Sequence, residues 1–237
     1  MHKEKVIVDE KLVGEMKEVG AHYAYAKARK HPSTGKYVFG SNENIEVFDL
    51  AKTSVALEKA LAFVRELGTE GKVLLFVGTK NEARRIVRDA SQNIEAPGVY
   101  LRWMGGTLTN WPEIKKRLET LKEMKTKRES GEYKDKYTKK EQLLLGREIE
   151  SLEKKFGGIA EMAGIPDAMF IVDSRHDEIA VREADVVGVP VIALANNDCD
   201  ITSIEYPIPA NDSSVKSISY FVNKVAKAYA EGRAVKK

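Results

Sequence analysis

Three short stretches, "KVLLFVGT" (72–79), "DAMFIVDS" (167–174) and "VPVIALAN" (189–196), are continuous apolar runs that end in small or polar residues. Unbroken runs of this length are the pattern of strands buried on both faces, as in a parallel sheet. After the first comes "KNEARRIVRDASQN" and after the second "RHDEIAVREADVVG", where Ala83, Ile86, Val87 and Ile179, Val181, Ala184, Val187 recur at mainly helical spacing. Gly188 closes the second of these, as glycine does at helix ends. Strand, helix, strand is the rhythm of an α/β fold with a doubly wound parallel sheet. Residues 44–68 supply a further strand and helix, "GVYLRW" (98–103) another strand, and 213–232 a closing helix.

The span from Pro112 to Phe156 breaks the rhythm. Trp111, Ile114, Leu118, Leu121 and Lys125 step by three and four, and so do Leu145, Ile149, Leu152, Phe156 and Ile159. These are two seams of coiled-coil type. Thr138 with Glu141 makes a capping box for the second helix, and Asn110 with Glu113 makes one for the first, with Pro112 in its first turn. The pattern predicts an inserted antiparallel coiled-coil helical hairpin over 112–156. The rest, 1–111 and 157–237, forms the α/β domain with a basic N-terminal loop and a basic C-terminal tail. A helical subdomain packed on the sheet is the alternative.

Composition adds that 237 residues with 43% hydrophobic content build a real core, and that a single cysteine, Cys199, excludes an internal disulfide framework and a cysteine-based structural zinc site. A cytoplasmic protein is expected, because no apolar run reaches the ~20 residues of a membrane span and the charged start does not resemble a secretory signal. The formal net charge is only +3, but its distribution is uneven. Residues 21–42 hold Lys27, Arg29, Lys30 and Lys36 with no acid, residues 112–156 hold 14 Lys and Arg against 10 Asp and Glu, and the tail holds Arg233, Lys236 and Lys237. Basic segments on an otherwise acidic chain point to a polyanionic partner, although a solvated salt-bridged face gives the same composition.

Catalytic chemistry is hard to find. "FVGTKNEA" has a strand, Gly78 and a helix start, but it lacks the second glycine and the Lys-Ser/Thr of a phosphate loop. The helix start at Thr79 and Lys80 offers free amides to an anion. His2, His22, His31 and His176 lack metal-ligand spacing, and Cys199 has no base partner in sequence. Asp198, Asp200 and Asp212 follow the carboxyl end of a strand, where open α/β sheets place ligands, and such oxygen clusters suit a structural magnesium ion. The same residues also serve as caps of helices and turns.

Taken in order, "FVGTK", "RWMGGTLTNW", the charged hairpin with "TKKE", "GGI", "PDAMFIVDSR", "GVPVIALANNDCD" and "YPIPANDSSVKSI" carry a resemblance. Over residues 16–231 the chain resembles the bacterial-type ribosomal protein S-two family. It departs where Ala24 and Tyr25 stand in place of a usual Gly-His pair. The resemblance implies a flavodoxin-like, Rossmann-like α/β domain with a protruding coiled-coil hairpin, set at the junction of head and body of the small ribosomal subunit. It implies binding to small-subunit ribosomal RNA, help in seating ribosomal protein S-one beside other small-subunit proteins, no catalytic activity, no cofactor and no small-molecule substrate. A nucleotide- or phosphosugar-binding enzyme of doubly wound fold is the other reading, with its ligand near Gly78, Asp173 and Asp198.

The turn "RWMGGTLTNW" joins a strand to the first hairpin helix, and Gly105 with Gly106 supplies the backbone freedom of that exit. Its hydroxyls and amides also suit a phosphate. The RNA-binding candidates are therefore Lys27, Arg29, Lys30 and Lys36 in the basic loop, Arg102, Thr107, Thr109 and Asn110 at the turn, and Lys115, Lys116 and Arg117 at the start of the hairpin. Trp103 and Trp111 read better as core anchors than as stacking platforms.

Overall fold

The computed structural model describes residues 9–235; His2, Lys236 and Lys237 lie outside the described residues. The chain opens with α1 (Glu10–Glu18), then three strands, β1 (Tyr23–Ala26), β2 (Val38–Asn42) and β3 (Ile45–Phe48), with short 3-10 turns between the first two. These strands form a small antiparallel sheet in the order β1-β3-β2. The strand read at 44–48 therefore exists, but it pairs in this small sheet and not in the parallel one.

The main domain follows as α2 (Leu50–Glu70), β4 (Leu74–Val77), α3 (Asn81–Asn93), β5 (Gly98–Val99), α4 (Trp111–Glu129), α5 (Glu132–Lys136), α6 (Lys139–Phe156), β6 (Ala168–Val172), α7 (Glu178–Val187), β7 (Val191–Ala195), β8 (Tyr206–Pro209) and α8 (Val215–Val235). Strands β4 to β8 form a parallel sheet in the spatial order β5-β4-β6-β7-β8. In chain order that is 2-1-3-4-5, the flavodoxin-like winding, whose direction reverses between β4 and β6. The fourth strand agrees with "VPVIALAN", whereas the fifth is not read from the apolar pattern, because Pro207 and Pro209 interrupt β8; the strand sits at the sheet edge, where proline is tolerated.

Alternation along the strands divides the core. Leu74, Phe76, Phe170, Val172, Ile192, Leu194 and Ile208 face one way, onto α1, α2, α3 and α8. Leu75, Val77, Met169, Ile171, Val191 and Ala193 face the other way, onto α7 and a cluster containing Trp103, Leu108, Trp111 and Phe156. On the first face α2 and α8 cross so closely that a Cβ on Gly68 would lie 2.5 Å from the Tyr229 carbonyl oxygen, and one on Gly232 2.2 Å from that of Arg65. In α7 the buried positions are Ala180, Val181, Glu183 and Ala184, whereas Ile179, read from its spacing as part of the apolar stripe, is 58% exposed.

Helices α4 and α6 lie side by side and antiparallel: Ile114 and Leu118 early in α4 share a cluster with Phe156 at the end of α6, while Leu121 and Met124 further along meet Ile149. The first of these clusters includes sheet residues; the second, with Tyr133 of α5, is separate from the sheet. Thr138 and Glu141 make the capping box expected for α6, the Thr138 amide donating to Glu141 at 2.8 Å. No such box forms at α4. The Asn110 side chain makes no cap, its backbone amide donates to the Gly106 carbonyl at 2.9 Å, and Glu113 pairs instead with Lys116 at 2.6 Å. The seam continues through Met124 and not through Lys125, which reaches across to Glu153 at 2.7 Å.

Candidate nucleic-acid interface and the strand-end crevice

The sheet reverses its winding between β4 and β6, so a crevice opens at the carboxyl ends of these strands, the place where such folds hold ligands. Here the chain fills it with its own groups. Lys80, just beyond β4, extends its ammonium to Asp173 at 2.8 Å, to Asp212 at 3.4 Å and to the Tyr25 hydroxyl at 3.2 Å. Burial alone would favour the neutral amine, but the Asp212 and Asp173 carboxylates outweigh it and raise the pKa of Lys80. Asp212 is fully buried, and its carboxyl is pushed up to about 6 by burial and by the charge of Asp173, against the pull of Lys80. Thr79 donates its amide and hydroxyl to Asp177, at 3.1 and 2.7 Å, so the free amide offered to an anion at this helix start is already engaged. Asp177, also buried, has its pKa raised by desolvation.

The small sheet closes over this crevice. The amide of Tyr25 donates to Asn197 at 3.0 Å, and Asn197 returns its side-chain amide to the Tyr25 carbonyl at 3.0 Å and to Glu46 at 2.9 Å. His31 donates its backbone amide to the Asn197 carbonyl at 2.7 Å, and the buried Thr34 hydroxyl donates to the same oxygen at 2.9 Å. Asn196 ties Asp212 into the set at 2.9 Å. Asparagines 196 and 197, Tyr25, Thr34 and Lys80 are thus the polar residues that dock the N-terminal sheet, and sequence reading assigned none of them that role.

The acidic candidates part company in three dimensions. Asp198 accepts from Arg29 at 2.8 Å and Arg175 at 2.9 Å; the exposed Asp200 holds its own turn through Thr202 and lies 3.7 Å from His31. Among the described residues, those whose ligand-type atoms lie within 4.8 Å of one another are Asp173, Cys199 and Asp212, and Lys80 already supplies a positive charge to both carboxylates. The Cys199 thiol is buried and pushed up to about 12, mainly by desolvation, so it stays protonated. The capping reading fits Asp200 and also Asn211, whose side-chain oxygen accepts from the Ser213 amide at 2.9 Å.

The glycine turn proves to be an anion cradle with its anion built in. Glu183, 7% exposed on α7, accepts from the Trp103 indole at 3.1 Å, the Gly106 amide at 2.8 Å, the Leu108 amide at 2.9 Å, and the Thr109 amide and hydroxyl at 3.2 and 3.3 Å. Burial would raise its pKa, but the amides and the indole outweigh burial and lower it. Gly106 adopts φ +88°, a conformation that glycine reaches without strain and that turns its amide toward the carboxylate. The sequence signal for Glu183 is a lone acid among Ala180, Ala184 and Val187 on the buried side of a helix.

Of the RNA-binding candidates, Thr107 is buried and its hydroxyl donates to the Met104 carbonyl, so its side chain faces the interior. Thr109 and Asn110 are exposed at the turn, with the Thr109 hydroxyl shared with Glu183. Arg102, Lys115 and Arg117 are exposed, and Lys116 is exposed beside Glu113. In the basic loop Lys27 and Lys36 are exposed; Arg29 keeps about half its side chain in solvent while packing its guanidinium 4.1 Å from the Tyr25 ring centre and bonding Asp198. Lys30 turns inward to the buried Glu46 at 2.9 Å.

An α/β domain whose ligand crevice is closed by its own lysine and tyrosine, and whose glycine turn carries its own carboxylate, is organised to hold its loops, with exposed cations left over on loop and hairpin. The family model described as Ribosomal protein S2 matches residues 16–232, and the chain belongs to that family. Its relatives include proteins named small ribosomal subunit protein uS2. That of Sulfurimonas denitrificans is 42% identical over 219 residues, 92% of this chain and 84% of its own length. That of Dictyoglomus turgidum is 40% identical, covering 94% of this chain and 90% of its own length, and that of Saccharophagus degradans 38%, covering 93% and 89%. The fold expected from the resemblance, a parallel flavodoxin-like sheet flanked by helices, is the one observed. Among the described residues no helix is long and apolar enough to cross a membrane.

Proposed function

We propose that this chain is a structural, non-catalytic component of the small ribosomal subunit, that it binds small-subunit ribosomal RNA through exposed cations of the basic loop and the hairpin, and that it helps to seat ribosomal protein S-one at the head and body junction. The observation that carries the reading is membership of the ribosomal protein S2 family along nearly the whole chain. The placement of Lys27, Arg29, Lys36, Arg102, Lys115, Lys116 and Arg117 in solvent supports it, because a polyanion is held by cations that can shed counterions. The enzyme reading needs free groups near Gly78, Asp173 and Asp198, and there Asp173 is paired with Lys80 and Asp198 with Arg29 and Arg175. Sedimentation of a cell lysate tests the assignment: the protein travels with small subunits, and recovery of the protein only in the unassembled fraction would reject it. S-one seating is tested on the same gradient by asking whether small subunits lacking this chain lose S-one.

A further inference from the structure

Resting on the RNA-binding reading, we infer that the groove between α2 and the 201–207 segment is a pocket for an unstacked nucleotide of single-stranded RNA, with Lys36, Lys52 and Lys59 holding its flanking phosphates. The groove has a volume of about 870 Å³ and shares no lining residue with the Lys80, Asp173 and Asp212 cluster. On α2, Lys52, Val55, Ala56 and Lys59 fall at i, i+3, i+4 and i+7, so one helix face presents two cations with apolar contact between them. Ile201, Ile204 and Pro207 add apolar surface to the lining, and Tyr37 and Tyr206 add two aromatic rings.

Three lysines stand against one carboxylate in the lining, and Lys52 also lies 3.5 Å from Asp49 at the start of α2. Lys52 donates to the Lys36 carbonyl at 2.7 Å, which pins the 3-10 turn to α2 and sets Lys36 on the same rim. Lys59 makes no ion pair with any described residue. The one carboxylate of the lining, Glu205, is partly engaged by the Val191 amide at 2.9 Å. Tyr206 stacks on Phe63 with ring centres 4.3 Å apart. An apolar lining with a stacked tyrosine ring accepts the flat face of a base, and lysines about 10 Å apart along a helix reach phosphates on either side of it. Duplex RNA keeps its bases paired and stacked, so a single strand is the fitting ligand.

The test uses the full chain and a labelled U10 strand as probe, with a ten-pair RNA duplex as comparison. Changing Lys36→Glu and Lys59→Glu together is expected to weaken U10 binding by about tenfold or more and to flatten its salt dependence by roughly one slope unit per lost phosphate contact. Ala56→Trp, which fills the groove without altering charge, is expected to weaken U10 binding while leaving duplex binding unchanged. Lys216→Glu, on α8, serves as a control that keeps both. Groove variants that bind U10 like the parent would overturn the inference, and so would stronger competition by a Glu-Leu decapeptide than by unlabelled U10. If the Trp variant does not fold, the charge pair alone decides. A parent chain that co-sediments with small subunits while the groove variants retain U10 binding would leave the broader reading standing; a parent chain that does not co-sediment would remove that reading itself.

Discussion

Lys80 and Glu183 each hold a loop to the sheet by a single buried or half-buried charge, and removing either leaves its partners stranded. Replacing Lys80 by methionine abandons Asp173 and Asp212 in the interior, a change expected to destabilise the fold by ~3–5 kcal/mol near neutral pH. The pH dependence has a definite sign. Asp212 already titrates above the usual carboxylate range, near 6, with the ammonium beside it. Without Lys80 its folded-state pKa rises further above the unfolded value, so the folded form takes up protons more readily, and the penalty shrinks as pH falls. Thermal melts should therefore show the gap between variant and parent narrowing from pH 8 to pH 5; a constant gap would mean that the lysine does not neutralise these carboxylates. Glu183 has the opposite sign. Its pKa is lowered, so its contribution is present above the unfolded value near 4.5 and fades on acidification through the lower folded value. Glu183→Gln is expected to destabilise the chain near neutrality and to flatten this acid limb. Neither residue was legible as an organiser in the sequence, because a charge's partner is set by the fold: Glu183 meets a turn some 75 residues away, and its spacing says only that it faces inward.

At the scale of elements, the three buried parallel strands were legible because both faces are covered, which leaves an unbroken apolar run. The small sheet was not, since β2 is exposed along most of its length and carries no alternating pattern. Its docking depends on Asn196 and Asn197, whose side chains imitate strand pairing from a loop. The hairpin's seams were legible from their three-four stepping, but not where the sheet's core ends and the hairpin's own begins. Ile114, Leu118 and Phe156 belong to the sheet-side cluster, and Leu121, Met124, Tyr133 and Ile149 to the distal one. This division predicts two deletion phenotypes. Replacing the distal part, Leu121 to Ile149, by a short linker should leave an α/β domain that melts cooperatively near the parent temperature. Replacing Glu113 to Phe156 removes three buried apolar side chains from the sheet's covering, at roughly 1.5–3 kcal/mol each, and should lower the melting temperature clearly. Equal melting of both deletions would show that the sheet does not need the base of the hairpin.

For the whole molecule, the proposed hold on RNA is spread over cations far apart in sequence, and the structure separates those that also serve the fold from those that do not. Lys115 and Arg117 are exposed without an ion pair among the described residues, and Lys116 pairs only with the exposed Glu113. Changing all three to alanine is expected to leave stability within about 0.5 kcal/mol of the parent. In the basic loop, Arg29 shares the buried Asp198 with Arg175, and Lys30 neutralises the buried Glu46. The triple change of Lys27, Arg29 and Lys30 should therefore lower the melting temperature as well as weaken assembly, by about 1–3 kcal/mol for each buried carboxylate that loses a partner. Both triple variants should incorporate less well into small subunits, with the defect largest at ~50 mM salt and narrowing towards ~200 mM because fewer phosphate contacts flatten the salt dependence, and the sixfold variant should lose roughly the sum of the two in free energy, since distant sites are usually additive. Comparing the loop variant with Arg175→Ala separates the two effects, because Arg175 also pairs with Asp198 but stands outside the basic loop. If Arg175→Ala lowers the melting temperature and assembles normally while the hairpin variant does the reverse, the loop variant's assembly defect comes from lost phosphate contacts. Full incorporation of the sixfold variant would instead place the RNA contacts on other surfaces of the α/β domain.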